Sequence, residues 1–575
     1  MASQSTIGEA RPTAPGGARG GADGHRRHLL DRMSPAQRTA LAIGVLLVTF
    51  ALPLHGLLRN QGPPMEEGFM LVFAEMVMNG KVPNRDFLHL YGPGSLWVLA
   101  AVFEVVGVSL TAERLVGLTQ QVGLVLGVFA IARRWGRTVA VACGVISAMI
   151  IIPPIGLTAL AWVGGVALGL WAVHLGSLAR VTTDERWAGR AAVGAGLLAG
   201  ASLLYRPDLI VALALGGAVI LWGMRPRLVR RVLIGGAAGV SPYLVHLAMA
   251  GPGNAVRGMI IDPVFHLRGG RALPIPPSPR ELQGFLQRAG DMEPFGWPLP
   301  MPPTPMQITL WFFLLPLSVI ALLAAGALLV RRRPGSPRAI ALLAVAAFSL
   351  GMLPQAVQRA DSTHLAWVSC VPMAFLPIAG VELLRRLRPS LAPRRQGALA
   401  GGAVLVAVVL LLPAFTARSY SDAVAQTFGI HRLSFPITHE GRTFYYGRPD
   451  VARALPPLLA EVERITEPGD RLFVGTSDLR FTPYNDAFIY YLLPQLEVAT
   501  YYVELDPGVA NAPGSGLADD LASADVVVLT RVWDDWDEPN DARIPGSDEP
   551  NRVLHDQFCT VAVYADLYEL LERCR

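Results

Sequence analysis

The sequence predicts a polytopic α-helical membrane protein with a small soluble α/β domain at its carboxyl end. Hydrophobic residues make up 52% of the 575 residues, charged residues only 16%, and the mean hydropathy is +0.41. A soluble protein would carry about 25% charged residues. Several apolar stretches exceed the roughly 18 residues that mark a membrane-spanning helix. The character changes after residue 413, because residues 414–575 contain 26 acidic residues against 13 arginines.

The apolar stretches predict about eleven transmembrane helices. They fall at 39–58, 114–132, 138–153, 157–178, 188–204, 209–224, 232–249, 309–330, 338–356, 364–383 and 397–413. If the amino terminus is cytoplasmic, every arginine cluster between these spans is cytoplasmic as well, as the positive-inside rule requires. The net charge of +5 is therefore distributed between spans and does not form a nucleic-acid-binding patch. We expect a lipid bilayer and no nucleic acid as partner.

Three regions follow from this pattern. Residues 1–38 are rich in Gly, Ala, Pro and Arg without an apolar run, which predicts a disordered cytoplasmic tail. Residues 39–413 form the predicted transmembrane domain. An odd number of crossings then places residues 414–575 outside the cytoplasm.

Two long outer loops are predicted, at 59–113 and 250–308. The first outer loop contains the apolar segment 92–110. If this segment crossed the membrane, the orientation of every later span would be reversed. We therefore expect it to lie in the plane of the outer interface or to re-enter there. The second loop adds Arg257, Asp262, His266, Arg268 and Arg271, and its proline-rich stretch is stiff enough to form part of a lid.

Strand-like runs alternate with helical stretches in the last region, which predicts a largely parallel α/β sheet. The runs are 471–475, 496–503 and 524–530, and the helical stretches are 450–465, 485–492 and 515–522. Cys559 and Cys574 are able to pair if their compartment is oxidising. The loop from Trp533 to Pro539 is aromatic and acidic. It suits a glycan or a cation, although a solvated surface loop is the commoner case.

An acidic pair, Glu66 and Glu67, follows the first predicted span. Carboxylates near lipid are costly and usually serve chemistry or ion handling, although acidic residues also favour helix amino termini. Asp86 is a further catalytic candidate, or simply the partner of Arg85, which is a candidate for substrate binding. Tyr91 begins a rigid Tyr-Gly-Pro-Gly turn and is another such candidate. These residues make the first outer loop a predicted active site.

Polar clusters at the outer ends of later spans extend this site. Arg206 and Asp208 lie between the fifth and sixth predicted spans, and Arg359, Asp361 and His364 lie between the ninth and tenth. Guanidinium groups bind phosphate bidentately, so these arginines suit an anionic, lipid-linked ligand beside an acidic pair. A mutual salt bridge explains Arg206 and Asp208 equally well. We predict all five residues as substrate-binding.

The ordered set of features resembles the amino-terminal module of GT-C glycosyltransferases, which are integral membrane enzymes that use polyprenyl-phosphate sugars. The set comprises the first span, the acidic pair, an amphipathic helix, Arg-Asp-Phe, Tyr-Gly-Pro-Gly and Glu-Arg-Leu from Glu113. The likeness is to bacterial members related to protein mannosyltransferases and aminoarabinose lipid A transferases. It covers residues 39–413 and is strongest over 60–135.

The resemblance implies an inverting transfer of a hexose or pentose from a polyprenyl phosphate to a glycan, lipid or protein hydroxyl. The family's acidic pair maps to Glu66 and Glu67, although family members more often have Asp in the first place. One acid of the pair deprotonates the acceptor, and Arg206, Arg359 and His364 are candidates to stabilise the leaving phosphate. Some members need a divalent cation and many do not, so the resemblance leaves the cofactor open.

The GC-rich composition favours a bacterial plasma membrane as the location. Two other classes of function fit a polytopic chain. A transporter or flippase of lipid-linked glycans would place ionisable residues near the midplane of its spans. A non-catalytic cell-envelope assembly protein would tolerate replacement of Glu66 and Glu67.

Overall fold

Helices form the first three quarters of the chain, and the sheets follow. The computed structural model describes residues 33–284, 300–432 and 434–574. The predicted cytoplasmic tail therefore lies outside the described residues as far as residue 32.

The helices of the first part are numbered in chain order. They are α1 (Pro35–Ala51), α2 (Leu54–Leu57), α3 (Pro64–Met78), α4 (Gly94–Val106), α5 (Leu110–Ala132), α6 (Arg137–Ile155), α7 (Ala161–Val181), α8 (Glu185–Tyr205), α9 (Ile210–Leu221), α10 (Pro226–Val240), α11 (Pro242–Ala250), α12 (Pro252–Val256), α13 (Leu267–Arg271), α14 (Thr304–Arg332), α15 (Pro337–Gln358), α16 (Ser362–Ser369), α17 (Pro372–Leu387), α18 (Pro393–Leu411) and α19 (Ser419–Thr427). A π-helical segment, Arg257–His266, joins α12 to α13.

Among the described residues, eight helices are long and apolar enough to cross a membrane, and a ninth if α16 and α17 form one span bent by 44°. Three shorter apolar helices are Pro35–Ala51, Gly94–Val106 and Pro207–Leu221. The first and third coincide with predicted spans, so each predicted span falls on an apolar helix. The polytopic helical fold is confirmed, and the number of eleven crossings stays a prediction.

Helix α4 lies in the segment that we expected not to cross. Its 13 residues extend about 20 Å at 1.5 Å per residue, against a hydrocarbon core of about 30 Å. Helix α4 is therefore too short to cross the membrane upright. This length supports the prediction that the segment lies in the membrane plane or re-enters.

The predicted C-terminal domain contains a five-stranded sheet and a separate hairpin, which lie between residues 435 and 573. The strands are β1 (Phe435–His439), β2 (Arg442–Tyr446), β3 (Arg471–Thr476), β4 (Glu497–Val498), β5 (Val526–Thr530), β6 (Phe558–Tyr564) and β7 (Tyr568–Arg573). The helices are α20 (Pro449–Ile465), α21 (Phe488–Leu492), α22 (Leu517–Ala522) and α23 (Glu549–Gln557). The strand order in the larger sheet is β4-β3-β5-β7-β6.

The sheet is mixed, which corrects the expectation of a largely parallel one. Strand β3 pairs in parallel with β4 and β5, whereas β7 pairs antiparallel with β5 and β6. The reason is a tight turn between β6 and β7, where Ala565 and Asp566 both have positive φ and return the chain directly. A disulfide between Cys559 and Cys574 joins the two ends of this hairpin, so the pairing that the sequence allowed does form.

Helix α3 packs into the core of the C-terminal domain, although it belongs to the first predicted loop. Phe69 and Phe73 of α3 share one buried cluster with Phe488 of α21. A bidentate ion pair between Glu75 of α3 and Arg442 of β2, with contacts of 2.6 and 2.7 Å, joins the same surfaces. The C-terminal domain thereby fixes the helix that carries the acidic pair.

Candidate active site

A cavity of about 260 Å³ lies where the helical part meets the C-terminal domain. Six of the predicted site residues line it: Glu66, Tyr91, Arg206, Asp208, Arg359 and His364. Its apolar lining includes Met65, Phe69, Met70, Leu160, Trp162, Met259, Val264, Leu267 and Trp367. Helix ends that lie far apart in the sequence therefore meet around one cavity.

The two neighbouring glutamates face different surroundings. Both lie in the first turn of α3, where successive side chains are rotated by about 100°. Glu67 is fully buried outside the cavity lining and accepts two hydrogen bonds of 2.7 Å from Nε and Nη2 of Arg114. The third nitrogen of Arg114 donates to the carbonyl oxygen of Leu57 at 3.1 Å. Glu67 is thus a structural partner that joins α3 to α5.

Glu66 turns into the cavity. Its Oε2 atom is buried and has no hydrogen-bond partner among the described residues. Burial, assisted by the nearby negative charge of Asp361, raises the pKa of Glu66 from 4.5 to about 7, although Arg271 and Arg359 oppose the shift. A carboxyl group with one unpartnered oxygen and a pKa near neutrality can accept a proton from a ligand in this cavity.

Arg206 is buried in the cavity wall. Helix α8 ends at Tyr205 because Pro207 follows, and Arg206 takes an extended conformation with φ −140° and ψ 97°. Its guanidinium lies 4.2 Å from the ring centre of Tyr91 and 5.0 Å from that of Trp162, in cation–π contact. The Nε and Nη2 atoms donate to Asp208 at 2.9 and 2.6 Å, which leaves Nη1 outside this pair.

The close approach of Tyr91 to Arg206 depends on a glycine. The Gly92 nitrogen donates to the Tyr205 carbonyl oxygen at 3.1 Å. A Cβ atom at Gly92 would lie 2.1 Å from the carbonyl oxygen of Leu204, which no side chain tolerates. The predicted turn therefore serves to bring the first loop against the end of α8.

Arg359 also lines the cavity, but its hydrogen-bonding capacity is used by the protein. A guanidinium has five N–H donors. Nε donates to Asp361 at 2.8 Å, Nη1 to the Arg271 carbonyl oxygen at 2.9 Å and to Glu538 Oε2 at 2.8 Å. Nη2 donates to the Tyr484 hydroxyl oxygen at 2.7 Å and to Glu538 Oε1. In this arrangement Arg359 contributes positive charge, but no free donor for a ligand.

Asp361 connects Arg359 to His364. It caps α16 by accepting a bond of 2.9 Å from the His364 nitrogen, and His364 Nδ1 lies 2.9 Å from the same oxygen. Burial favours the neutral acid, but His364 and Arg359 together hold the pKa of Asp361 well below its ordinary value. Asp361 itself therefore acts as a buried anion that orients its two neighbours.

Arg85 and Asp86 lie apart from the cavity, on a turn after α3. Arg85 donates to Asp86 at 2.8 and 3.0 Å, and the Val82 nitrogen donates to Asp86 at 2.7 Å. Their side chains are 48% and 26% exposed. This pair closes a turn, which was the alternative to a catalytic Asp86, so neither residue belongs to the site that we propose below.

Three residues of the C-terminal domain line the cavity but were not predicted as site residues: Tyr484, Glu504 and Asp506. Glu504 and Asp506 are 6% and 2% exposed, and each has one buried oxygen without a hydrogen-bond partner among the described residues. Burial raises the pKa of both carboxyl groups. The available signal was their position just after a predicted parallel strand, because ligands gather at the carboxyl ends of such strands.

The cavity carboxylates do not fit a preassembled site for one divalent cation. Within the described parts of the chain, only His439, Glu440 and Glu463 bring three such ligand atoms within 4.8 Å of one another. Those residues lie on the β1–β2 hairpin and α20 and do not line the cavity. The reaction proposed below therefore uses only the protein's own side chains.

The structure of the whole chain is similar to solved structures of other membrane proteins. No family model matches the chain, and no curated protein matches it. Among solved structures, ArnT from Cupriavidus metallidurans bound to undecaprenyl phosphate is similar, with a TM-score of 0.50 and 12% identity. The match covers 94% of this chain and 98% of that one. The chain has a GT-C fold.

Two further solved structures are similar at TM-scores below 0.5. ArnT from the same organism in the apo state has a TM-score of 0.46 and 14% identity, covering 93% of this chain and 98% of that one. The Archaeoglobus fulgidus oligosaccharyltransferase tethered with an acceptor peptide has a TM-score of 0.42 and 13% identity, covering 85% and 69%. The match to ArnT bound to undecaprenyl phosphate, at a TM-score of 0.50, confirms the GT-C resemblance inferred from residues 39–413 at the level of fold.

Replacement of Glu67 should destabilise this GT-C fold. Glu67→Gln leaves the buried Arg114 charge without its partner, which costs about 3–5 kcal/mol. The measurement is the unfolding midpoint in detergent, with Glu66→Gln as the matched neighbour that should unfold like the wild type. Glu67→Leu combined with Arg114→Met removes both charges and should recover most of the loss. A wild-type midpoint in Glu67→Gln would contradict the structural role of the pair.

Proposed function

We propose that this protein is a membrane glycosyltransferase that moves a sugar from a polyprenyl phosphate to an acceptor hydroxyl, with Glu66 as the general base. The observation that carries the proposal is the unpartnered carboxyl oxygen of Glu66 in a cavity that also contains the buried guanidinium of Arg206. The fold is shared with ArnT, whose crystal structure contains undecaprenyl phosphate, and this likeness supports a lipid-phosphate donor.

In the proposed reaction Glu66 takes the proton of the acceptor hydroxyl. The acceptor oxygen attacks the anomeric carbon from the face opposite the phosphate, and the bond from that carbon to the phosphate oxygen breaks. The phosphate leaves with the bonding electrons, the proton stays on Glu66, and the anomeric configuration inverts. A general base with a pKa near the working pH suits this step.

The leaving phosphate needs positive charge and free donors. Arg206 keeps Nη1 outside its pair with Asp208, although its guanidinium also interacts with Tyr91. The Arg268 side chain lines the cavity, and no hydrogen bond or ion pair joins it to another described residue. His364 lines the same cavity. Arg359 has no free donor, so we assign it an electrostatic role and assign phosphate contact to Arg206 and Arg268.

The positions of the charged groups favour an enzyme over a transporter. Arg206 directly follows α8, Arg359 directly follows α15, and Glu66 lies in the first turn of α3. These charges gather at helix ends, whereas a transporter would hold ionisable groups near the middle of its spans. Apolar residues of the lining, among them Met259 and Val264, offer a surface for the lipid chain.

The proposal places the C-terminal domain on the extracytoplasmic side. The disulfide between Cys559 and Cys574 supports this side, because disulfides persist in oxidising compartments. Arginines at the ends of α7, α14 and α17 support a cytoplasmic position for the opposite side of the bundle.

The first test is transfer from a panel of radiolabelled polyprenyl-phosphate sugars to a membrane extract. Glu66→Gln should lower kcat by about 10²–10⁴-fold, because the variant lacks the general base. Donor binding and the unfolding midpoint should not change. Glu104→Gln, an exposed glutamate on α4, is the matched control and should keep wild-type activity. Wild-type transfer by Glu66→Gln would contradict the proposed base.

The rate of transfer should depend on pH through Glu66. Only the carboxylate form accepts a proton, and its pKa is raised to about 7. The rate should therefore rise from about pH 6 to about pH 8 and reach half its maximum near pH 7. Any residual rate of Glu66→Gln should lack this limb. A midpoint near 4.5, the ordinary value for glutamate, would show that the base is not a buried Glu66.

A further inference from the structure

The aromatic and acidic loop from Trp533 to Pro539 buries its two tryptophans and Glu538 and exposes its aspartates. Trp533 and Trp536 are 5% and 8% exposed, which differs from the solvated surface loop that the sequence favoured. Their rings lie 5.2 and 4.4 Å from the ring of Tyr484, a cavity residue. The two tryptophans therefore anchor the loop against the cavity wall.

Glu538 is the buried charge of this loop. It is 3% exposed and receives two hydrogen bonds from Arg359, one from each terminal nitrogen. Asn540 Nδ2 donates to the same carboxylate at 2.9 Å. A bidentate arginine–carboxylate pair fixes both the position and the plane of the guanidinium.

We propose that Glu538 is a positioning residue of the active site, which acts from the C-terminal domain by fixing Arg359 on the cavity wall. Without Glu538, two of the five Arg359 donors lose their partners. A buried guanidinium that donates from all its N–H groups is a charge in a fixed position, and burial strengthens its electrostatic effect on neighbouring groups. Glu538 compensates part of that charge and sets how much of it reaches Glu66.

The charged groups around Glu66 determine whether loss of the Glu538 charge raises or lowers the pKa of Glu66. Both domains contribute groups that interact electrostatically with Glu66: Tyr91, Arg271, Arg359 and Asp361 from the helical part, and Tyr484 and Glu504 from the C-terminal domain. Arg359 is among the groups that lower the pKa of Glu66. Removal of the Glu538 charge leaves Arg359 less compensated, so Glu66 should lose its proton at lower pH.

The test measures the protonation of Glu66 directly. A hydrophobic carbodiimide modifies protonated carboxyl groups, and mass spectrometry of the full-length protein after digestion quantifies modification at Glu66 as a function of pH. Glu66→Gln gives the background. The variant is Glu538→Gln, which keeps the shape of the side chain and removes its charge. Asp537→Asn is the matched control, because Asp537 pairs with Arg543 on the exposed side of the same loop.

The expected result is a lower midpoint for Glu66 modification in Glu538→Gln, by about half a pH unit or more, which is about a threefold change in proton affinity. Asp537→Asn should titrate like the wild type. Glu538→Asp keeps the charge with a shorter reach and should give a smaller shift. An unchanged midpoint in Glu538→Gln, or in Glu538→Asp if the first variant does not fold, would overturn the proposal. A purely structural Glu538 would lower only the unfolding midpoint.

The consequence for catalysis rests on the proposed function, whereas the titration does not. If the protein transfers sugar, the acid limb of kcat in Glu538→Gln should move to lower pH by the same amount as the modification midpoint. Absence of transfer by the wild type would contradict the proposed function and leave the titration valid. Glu538→Gln could also transfer sugar with no shift in the acid limb of kcat and no shift in the Glu66 modification midpoint. That result would contradict only the role of Glu538 and leave the proposed function standing.

Discussion

The buried ion pair between Glu67 and Arg114 determines which glutamate faces the cavity. It connects the start of α3 to α5, and through the Leu57 carbonyl oxygen also to the end of α2. Because neighbouring helical side chains diverge by about 100°, a carboxylate held toward Arg114 directs the preceding one elsewhere. Glu66 reaches the cavity for this reason. Two adjacent acids thus lie in separate surroundings: Glu67 anchors the helix, and Glu66 is the general base that we propose.

Arginines at the two later helix ends also have separate tasks. Arg206 shares its guanidinium between Asp208 and two aromatic rings and keeps one nitrogen outside the carboxylate pair. Arg359 uses all its donors, and most of them reach groups that the C-terminal domain or its neighbouring loop supplies. The second arginine therefore joins the two parts of the protein. The active site that we propose is incomplete without the C-terminal domain.

Much of this arrangement follows from the sequence, because apolar runs and arginine clusters predict which helix ends share one side. That reasoning brings Glu66, Tyr91, Arg206 and His364 to one surface, and the structure places them around one cavity. It does not separate Glu66 from its neighbour, since the rotation of α3 depends on a buried partner from α5.

Sequence patterns do not predict the contacts that the C-terminal domain makes with the cavity residues. Tyr484, Glu504 and Glu538 meet the cavity residues only after folding, across separations such as the 179 residues between Arg359 and Glu538. Apart from the position of Glu504 just after a predicted strand, no local motif marks them. The mixed sheet was not predicted either, because the burial of residues along the last two strands follows no regular alternation.

The most direct test of the account is a structure of the full-length protein in lipid nanodiscs with a polyprenyl phosphate. We predict density for the phosphate within the cavity, in contact with Arg206 or Arg268, and with the lipid chain along Met259 and Val264. Arg359 should keep its pair with Glu538 in that complex. A phosphate bound outside the cavity, away from Glu66 and Arg206, would contradict the proposed active site.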